Sequence, residues 1–400
     1  MLSPSAAILI SIAGALILLR LKLHSGYAIF AGSLILALLV MPPLSTPLFM
    51  WQTLSSYQTI RFLIITTSAL TLGGLMEEKG LLADLATAME KINPKLAVHF
   101  IPAIIGFVPM PAGALVSAMA SRDLFRRMGL NPEQSNFINY WFRHLWEFSI
   151  PVYPSIIIVS VLLAVPFSYL MKVLFPVTVL TIMFGAVISY WILKNVPATK
   201  GKPAKNITID FLKAAWPVIL LVILVLSGVD AVIAFPLTLF LLALHQRVKW
   251  RELKKSLKYG LNPKMLLFLY GVMLYKMAVE SSNAAHYFFS DMQSIGVPVL
   301  IMLAVLPFLI AFVTGSSTAF AAVAFPILMP FMVSDSEVNS YAILLAYVSG
   351  MIGLLVTPLH LCLIYTTEYF NSKLSKIYKY ILPPYLMIEG IVILVYYVMG

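Results

Sequence analysis

Charge and cysteine are both scarce in this sequence. Only 11% of its 400 residues are charged and 61% are hydrophobic, whereas about 25% of the residues of a soluble domain are charged. Cys362 is the one cysteine of the chain, so no intrachain disulfide can form. This composition excludes an ordinary soluble domain and predicts an all-α polytopic membrane protein.

Nucleotide-binding and metal-binding motifs are also missing. No Gly-x-x-x-x-Gly-Lys loop occurs, which argues against ATP-driven transport by this chain. His144 and Glu147 have a spacing that suggests metal ligands, but no His-Glu-x-x-His motif accompanies them and Cys362 has no second cysteine. The sequence therefore predicts that the protein has no metal site and no organic cofactor, and that it is not an enzyme.

Ten segments are long and apolar enough to cross a bilayer, whose hydrocarbon core needs about 20 residues of helix. The first segment has no basic region before it and no cleavage site after it, so we expect a retained span and not a signal peptide. Two further apolar stretches, 96–121 and 298–333, are interrupted in the middle. The ten segments are 4–21, 26–47, 60–76, 136–164, 171–194, 211–227, 230–245, 263–280, 338–364 and 380–399.

The net charge of +11 is explained by topology. Basic residues near the ends of spans mark the cytoplasmic side. If the link holding Arg20 and Lys22 is cytoplasmic, most of the other lysines and arginines fall on the same side. We therefore expect a plasma-membrane protein with both termini outside, and no nucleic-acid partner. Arg143 and Lys276 are basic residues inside predicted spans.

The two interrupted stretches are similar to each other. Pro102–Ala114 aligns without gaps to Pro307–Ala319, and both contain a Phe-Val pair. Each copy follows a span and a short amphipathic segment, and each precedes a long span broken by proline. We predict two halves, 1–194 and 211–400, joined by a cytoplasmic linker, 195–210. Five spans plus one re-entrant hairpin in each half would leave the halves in opposite orientation.

Inverted repeats with paired interrupted segments are typical of secondary transporters, which hold substrate near the middle of the membrane. Free backbone groups at a break must be buried or line a wet cavity, because lipid cannot satisfy them. Pro109 and Pro111 stop the helix of the first hairpin, and Gly113 lets the chain turn close to a ligand. The alternative for either stretch is an ordinary kinked helix.

Three motifs carry a family resemblance: Val108–Ala114, Asn139–Glu147 and Thr357–Leu363. On these motifs, the whole chain resembles the domain-of-unknown-function family 401, within the ion transporter superfamily of elevator carriers for citrate, dicarboxylates and gluconate. The resemblance implies a homodimer with a scaffold of spans 1, 2, 5, 6, 7 and 10. Spans 3, 4, 8 and 9 and both hairpins would then form a mobile transport domain.

The hairpin tips depart from the pattern of the sodium-coupled relatives. Those relatives carry Ser-Asn-Thr or Ser-Asn-Pro tips on both hairpins. Here the second tip, Thr314–Thr318, supplies hydroxyls, but the first supplies only backbone. Two symmetric sodium sites are therefore not expected, and the hydroxyls of the second tip either bind sodium or ligand or satisfy the backbone of the break.

Ionisable residues inside a span are costly and are candidate functional groups. Arg143 and Glu147 are four residues apart, which places them on one helix face. They form an internal salt bridge, or Arg143 binds a carboxylate or phosphate while Glu147 orients it or exchanges a proton. His144 is a proton-coupling candidate or a hydrogen-bonded core histidine. His360 follows the second broken span's proline and is expected near the ligand.

The predicted sites form two sets. Lys276 and Glu280 are interpreted as an interfacial pair, and Glu389 as a helix contact or water-facing group. The predicted ion-coupling residues are His144, Glu147, Thr314 and Ser316. The predicted substrate-binding residues are Arg143, Asn139, Pro111, Gly113, Gly315, Ser316, Ser317, Thr318, Thr357 and His360.

These observations favour a secondary carrier of the elevator type for a small organic anion, coupled to H+ or Na+. A carrier of a lipid-linked phosphate is the alternative within transport, and it would need a lateral opening to lipid. An intramembrane lipid-modifying enzyme and a channel are the alternatives outside carrier function.

Overall fold

The computed structural model describes residues 3–21, 23–81, 94–107, 113–194, 196, 207–333 and 337–400. Within these ranges the chain is helical, apart from connecting turns and an isolated bridge between Val333 and Val338. The helices are α1 (Pro4–Arg20), α2 (Ser25–Val40), α3 (Thr46–Ser55), α4 (Tyr57–Glu78), α5 (Pro94–Ile105), α6 (Gly113–Arg127), α7 (Pro132–Arg143), a 3-10 turn (Leu145–Phe148), α8 (Pro154–Leu163), α9 (Phe167–Leu193), α10 (Ile207–Leu226), α11 (Ala231–His245), α12 (Trp250–Gly260), α13 (Pro263–Ser281), α14 (Ala284–Ser294), α15 (Val299–Thr314), α16 (Ser317–Met332), α17 (Ser340–Val356), α18 (Leu361–Tyr369) and α19 (Leu374–Met399).

Long apolar helices dominate this architecture. Among the described residues, α4, α9, α19 and the α17–α18 unit are long and apolar enough to cross a membrane. The pair α13 and α14 passes the same test with a bend of 67° between its helices, and eight further helices are apolar but shorter. These helices confirm the predicted class, an all-α polytopic membrane protein.

Two of the predicted spans are broken near the predicted prolines. The segment 136–164 consists of α7, the 3-10 turn and α8, and its chain is not helical between Ser149 and Tyr153. The segment 338–364 consists of α17 and α18, separated by Thr357–His360. Proline has no N–H to donate and clashes with the preceding turn, so α17 ends before Pro358 and the 3-10 turn ends before Pro151. Helix α7 ends earlier, at Arg143.

Two helices, α3 and α12, were not predicted. The basic residues around α12 predicted a polar link, because their number concealed the amphipathic periodicity of the helix. In the structure, Lys79 donates to Glu252 at 2.7 Å and Lys255 pairs with Glu78. The hydrogen bond from Lys79 lowers the pKa of the Glu252 carboxyl. The last residue of α12, Gly260, lies so close to α4 that a Cβ atom would meet Thr71 Oγ1 at 2.1 Å.

Helix packing occurs in matched pairs. Helix α2 packs on α13, and α11 packs on α4. Each interrupted stretch is followed by a broken span. The first helix of the stretch packs on the first helix of that span, as α5 on α7 and α15 on α17. The second helix of each stretch packs on the second helix of the broken span that belongs to the other half, as α6 on α18 and α16 on α8. The two broken spans and the two interrupted stretches therefore form one interlocked unit.

The α2–α13 interface is unusually close. A Cβ atom on Gly271 would lie 2.9 Å from the backbone of Phe30. Ser33 Oγ donates to the Gly271 carbonyl at 2.7 Å across the same interface. Small residues let two helix backbones approach in this way, and that approach allows dispersion contacts that lipid cannot replace.

We predict that Gly271→Ala lowers the midpoint of thermal unfolding of the purified protein in detergent. The added methyl group meets backbone, which cannot move aside cheaply, and overpacking of this kind costs about 1–3 kcal/mol. Gly390→Ala is the matched control, because nothing lies within 4 Å of its Cβ position, and there alanine stabilises the helix by about 1 kcal/mol. An unchanged or higher midpoint for Gly271→Ala would contradict the close approach.

Candidate functional site: a buried polar centre

A buried polar centre lies where α7 ends. Arg143 is the last residue of α7, and His144 leaves the helical conformation before the 3-10 turn. His144 Nδ1 lies 2.6 Å from the Tyr140 carbonyl that the end of the helix exposes. Arg143 and His144 are 2% and 1% exposed, and Glu147 is 7% exposed. Three ionisable side chains are thus held together without direct access to solvent.

The salt bridge considered for Arg143 is present. Arg143 Nη1 donates to Glu147 Oε1 at 3.4 Å and to the Tyr153 hydroxyl at 3.1 Å. The prediction that both residues lie on one helix face was wrong. Helix α7 ends at Arg143, and Glu147 lies in the 3-10 turn. Arg143 Nε is buried with no hydrogen-bond partner among the described residues, so part of the guanidinium fork is unused there.

The first interrupted stretch reaches this centre through Gly106, which follows α5. The Tyr153 hydroxyl donates to the Gly106 carbonyl and accepts from Arg143. A Cβ atom on Gly106 would lie 2.4 Å from the Arg143 carbonyl oxygen, so only glycine fits this approach. Gly106, Tyr153 and Arg143 thus form one short hydrogen-bonded chain.

The second interrupted stretch reaches the adjacent residue. Gly315 ends α15 in the left-handed conformation at φ 63°, and a Cβ atom there would lie 2.7 Å from the Leu359 carbonyl. His360 Nδ1 lies 3.5 Å from the Gly315 carbonyl oxygen, and His360 Nε2 lies 3.2 Å from His144 Nε2. Gly315, His360 and His144 form a second chain beside the first.

Tyrosine hydroxyls complete the centre, and two of these residues, Tyr153 and Tyr347, were not predicted. The Tyr347 hydroxyl donates to the Glu147 carbonyl at 2.8 Å, and Ser155 Oγ lies 3.0 Å from the same hydroxyl. The Tyr140 hydroxyl donates to the Leu355 carbonyl at 2.9 Å. Along an apolar span Tyr153 and Tyr347 count as hydrophobic residues, and only their position beside broken backbone shows their polar role.

Asn139 and Thr357 lie next to the centre, and their polar atoms bond the protein itself. Asn139 Nδ2 donates to the Ala114 carbonyl at 2.9 Å, and Ser117 Oγ donates to Asn139 Oδ1 at 2.8 Å. Thr357 Oγ1 donates to the Phe312 carbonyl at 2.6 Å. In this conformation the two side chains tie the broken spans to the interrupted stretches.

The hydroxyls of the second tip also bond mainly to backbone. Thr314 Oγ1 donates to the Ile310 carbonyl at 2.7 Å. Ser316 Oγ caps α16 by accepting from Ala319 N at 3.3 Å, and it lies 2.9 Å from Thr318 Oγ1. These bonds agree with the alternative in which the hydroxyls satisfy the break. Ser317 begins α16 and is half-buried.

The remaining predicted residues lie outside the described ranges or away from the centre. Pro111 is outside the described residues, and Gly113 begins α6 and is buried. Lys276 Nζ lies 3.3 Å from Glu280 Oε1 and donates to Gln58 at 2.8 Å. Glu389 accepts from Ser349 Oγ at 2.5 Å, between α19 and α17. Neither Lys276 nor Glu389 forms part of the centre.

A group of metal-ligand residue types occurs in the centre, although the sequence indicated none. His144, His360 and Cys362 offer donor atoms that all lie within 4.8 Å of one another. His144 and His360 are buried and Cys362 is half-buried. No local motif could have indicated this group, because folding brings together two segments far apart in the chain.

A large apolar groove lies beside the centre, between α5 and α9. Its volume is about 780 Å³, and Lys95 and Lys194 are among its lining residues. His99 Nε2 and Ser189 Oγ, 2.6 Å apart, join the two helices along it. Trp146 lines its wall next to the polar centre. Most of the other residues that line the groove are apolar.

Comparison with known proteins agrees with the resemblance. The family model described as "Protein of unknown function (DUF401)" matches residues 2–399. Among solved structures, the chain is similar to the YdaH transporter of Alcanivorax borkumensis, whose crystal structure is described as revealing an unusual topology. The identity is 14%, the match covers 87% of this chain and 86% of that chain, and the TM-score is 0.59. At this identity the match shows a similar fold. No curated protein matches the sequence.

We predict that Tyr153→Phe lowers the thermal unfolding midpoint. The substitution leaves the Gly106 carbonyl without its tyrosine donor and takes one acceptor from Arg143, and a buried polar group without a partner costs about 1–3 kcal/mol. Tyr397→Phe is the control, because Tyr397 is 79% exposed. Equal midpoints for the two variants would show that the Gly106–Tyr153–Arg143 chain does not stabilise the fold.

Proposed function

The chain belongs to the DUF401 family, and from its fold and its buried polar centre we propose that it is a secondary transporter for a small organic anion. The transport is coupled to H+ or Na+ and uses an elevator movement. The observation that carries the proposal is the convergence of both interrupted stretches on two consecutive residues, Arg143 and His144. Secondary transporters bind their substrates at such half-helix ends.

The matched helix packing supports two related halves, 1–194 and 211–400, with 195–210 as linker. Several contacts that an element of one half makes have a counterpart made by the equivalent element of the other, as in α2 with α13 and α11 with α4. In this proposal the second half is inverted, so the two hairpins enter from opposite faces of the membrane. A ligand at their meeting point is then reachable from either side in turn.

The elevator movement divides the chain into a scaffold and a mobile domain. The scaffold contains α1, α2, α9, α10, α11 and α19. Two scaffolds form a homodimer in the plasma membrane, and both termini of each chain lie outside the cell. The mobile domain contains α4, α13, both broken spans and both hairpins. The α2–α13 contact crosses this boundary through Gly271 and Phe30, so this is an interface along which the movement has to slide. The similarity in fold to a transporter supports the transport function itself.

An anion is the substrate class that fits Arg143. Its guanidinium is paired with Glu147 and Tyr153 on one nitrogen, while Nε has no partner among the described residues. A carboxylate or phosphate matches the planar fork of arginine through two parallel hydrogen bonds. Because Arg143 is 2% exposed, an anion reaches it only after a hairpin opens, as alternating access requires.

The coupling ion is Na+ or H+. For Na+, Ser317 and the Ser316–Thr318 pair at the second tip offer hydroxyl oxygens next to the exposed carbonyls of a helix end. Stability measurements in sodium and in choline buffer, each at two pH values, separate the two ions, because a bound ligand raises the apparent stability of the folded state.

The groove between α5 and α9 favours a second candidate, a carrier of a lipid-linked phosphate. Its apolar wall suits a hydrocarbon chain, and Lys95 and Lys194 suit a phosphate group. In this candidate Arg143 binds the same phosphate after a lateral movement. Stabilisation by lipid phosphates alone, with no response to soluble anions, would select it.

We predict that purified protein is stabilised by one class among carboxylates, phosphates and sugar acids, and that Arg143→Gln removes the effect. Lost hydrogen bonds to a charged partner cost about 1.5–3 kcal/mol, which corresponds to about 10- to 100-fold in affinity. The measurement is the shift of thermal midpoint against anion concentration.

The control for this experiment separates binding from folding. Arg143→Gln leaves the buried Glu147 carboxylate without its partner, so the double variant Arg143→Gln/Glu147→Gln removes both charges together. Arg251→Gln, at an exposed position on α12, is the matched control. Unchanged affinity in the double variant would refute the role of Arg143.

We predict that Ser316→Ala/Ser317→Ala abolishes stabilisation by sodium if Na+ is the coupling ion. Ser316 is also a helix cap, and losing a cap costs about 1 kcal/mol by itself. Ser56→Ala is the control, because Ser56 caps α4 by accepting from Thr59 N at 3.2 Å. Both variants should lose basal stability, but only the first should lose its response to sodium. An intact sodium response would assign the hydroxyls to the backbone alone.

A further inference from the structure

We propose that His144, His360 and Cys362 bind one thiophilic metal ion, and that copper(I) is the ion whose charge fits. Their donor atoms lie within 4.8 Å of one another inside the polar centre. The inference goes beyond the proposed transport function and does not depend on it.

The tautomers of the two histidines are set by backbone. His144 Nδ1 faces the Tyr140 carbonyl at 2.6 Å, and His360 Nδ1 faces the Gly315 carbonyl at 3.5 Å. A carbonyl oxygen only accepts, so Nδ1 carries the hydrogen in His144, and we assign the same tautomer to His360, whose Nδ1 hydrogen then faces Gly315. Each neutral imidazole therefore presents a lone pair at Nε2. Metal-bound histidines are typically oriented by the same kind of bond from the other ring nitrogen.

The two lone pairs point at one small space. His144 Nε2 and His360 Nε2 are 3.2 Å apart, and two such lone pairs repel unless an electron-pair acceptor lies between them. Histidine nitrogens bind zinc at about 2.0–2.1 Å, and two nitrogens at this distance from one ion are about 3.3 Å apart at a tetrahedral angle and about 3.5 Å apart at a trigonal angle. The observed 3.2 Å is close to this range. A proton between the two nitrogens is the competing explanation, and the copper titration described below distinguishes it from a metal ion.

Charge balance distinguishes among metal ions. Cys362 binds as a thiolate after its proton leaves to water, and the two imidazoles stay neutral, so the three ligands carry one negative charge. Arg143 and Glu147 neutralise each other in the same centre. A monovalent ion makes the whole buried group neutral, whereas a divalent ion leaves a costly buried charge. Thiolate and imidazole ligands also suit copper(I).

The position of the ion gives it a structural consequence. It would join the end of α7 to α18 and, through His360, to the carbonyl of Gly315. Binding would therefore hold the second hairpin against the broken span of the first half. Cys362 is half-buried while the histidines are buried, so the ion reaches the site from the side of the thiol.

The test uses the full-length, reduced protein in detergent under anaerobic conditions. Copper(I) is titrated in competition with the chromophoric chelator bicinchoninate, and the near-ultraviolet thiolate-to-copper absorption is recorded. Because Cys362 is the only cysteine, this absorption reports on this site alone. The expected result is one tightly bound copper(I) per chain. The ion should also protect Cys362 from alkylation by a maleimide.

Variants assign the ligands. Cys362→Ser and His360→Gln should each weaken copper binding by about 100-fold or more, since even outer partners of metal ligands change affinity by about 10- to 100-fold. His286→Gln, at an exposed histidine, should bind copper as the wild type does. Thermal unfolding without metal shows whether each variant is folded. The alkylation measurement compares wild-type protein with and without copper, so it does not depend on the folding of any variant.

Three results would overturn the proposal. They are equal copper affinity in wild type and Cys362→Ser, alkylation of Cys362 that copper does not slow, and binding of Zn2+ in preference to copper(I). The first two would leave a proton between the histidines, and the third would refute the charge argument. All the measurements are made without a transported solute, so failure of the transport proposal does not affect them.

Discussion

The structure depends on one constraint: a broken helix inside a membrane must satisfy its backbone with protein, because lipid supplies no hydrogen bonds. Two spans and two further apolar stretches of this chain are interrupted in the middle. The free carbonyl of Gly106 accepts from Tyr153, that of Phe312 from Thr357, and that of Leu355 from Tyr140. The breaks therefore have to lie together, since each supplies side chains that another needs.

The same constraint explains why charge is tolerated at the centre. A lone arginine in a dry interior costs several kcal/mol, but Arg143 lies at a helix end with a carboxylate and a hydroxyl on its guanidinium. Glu147 is 3.9 Å from His144 Nε2 as well, so one carboxylate faces two basic groups. Any anion that binds Arg143 competes with Glu147 for it. Binding and release of such a ligand would thus be coupled to the position of the 3-10 turn.

The sequence predicted the class, the long apolar helices and the breaks, because composition, run length and proline act locally. It also selected Arg143, His144, Glu147 and His360, since ionisable groups in an apolar run stand out. It could not predict that Tyr153 joins Arg143 to Gly106, or that Cys362 lies beside two histidines, because those relations exist only after distant segments fold together. Helix α12 was missed for a different reason: its amphipathic periodicity was present but was treated as a basic link.

Two short chains converge on consecutive residues, and their adjacency has a mechanical consequence. Gly106 is connected to Arg143 through Tyr153, and Gly315 to His144 through His360. Both interrupted stretches therefore contact the junction between α7 and the 3-10 turn, where i to i−3 hydrogen bonds replace the regular α-helical ladder. A displacement of either chain would act on a residue next to the one that the other chain contacts. Coupling between the stretches needs no long pathway, because a single peptide unit separates their attachment points.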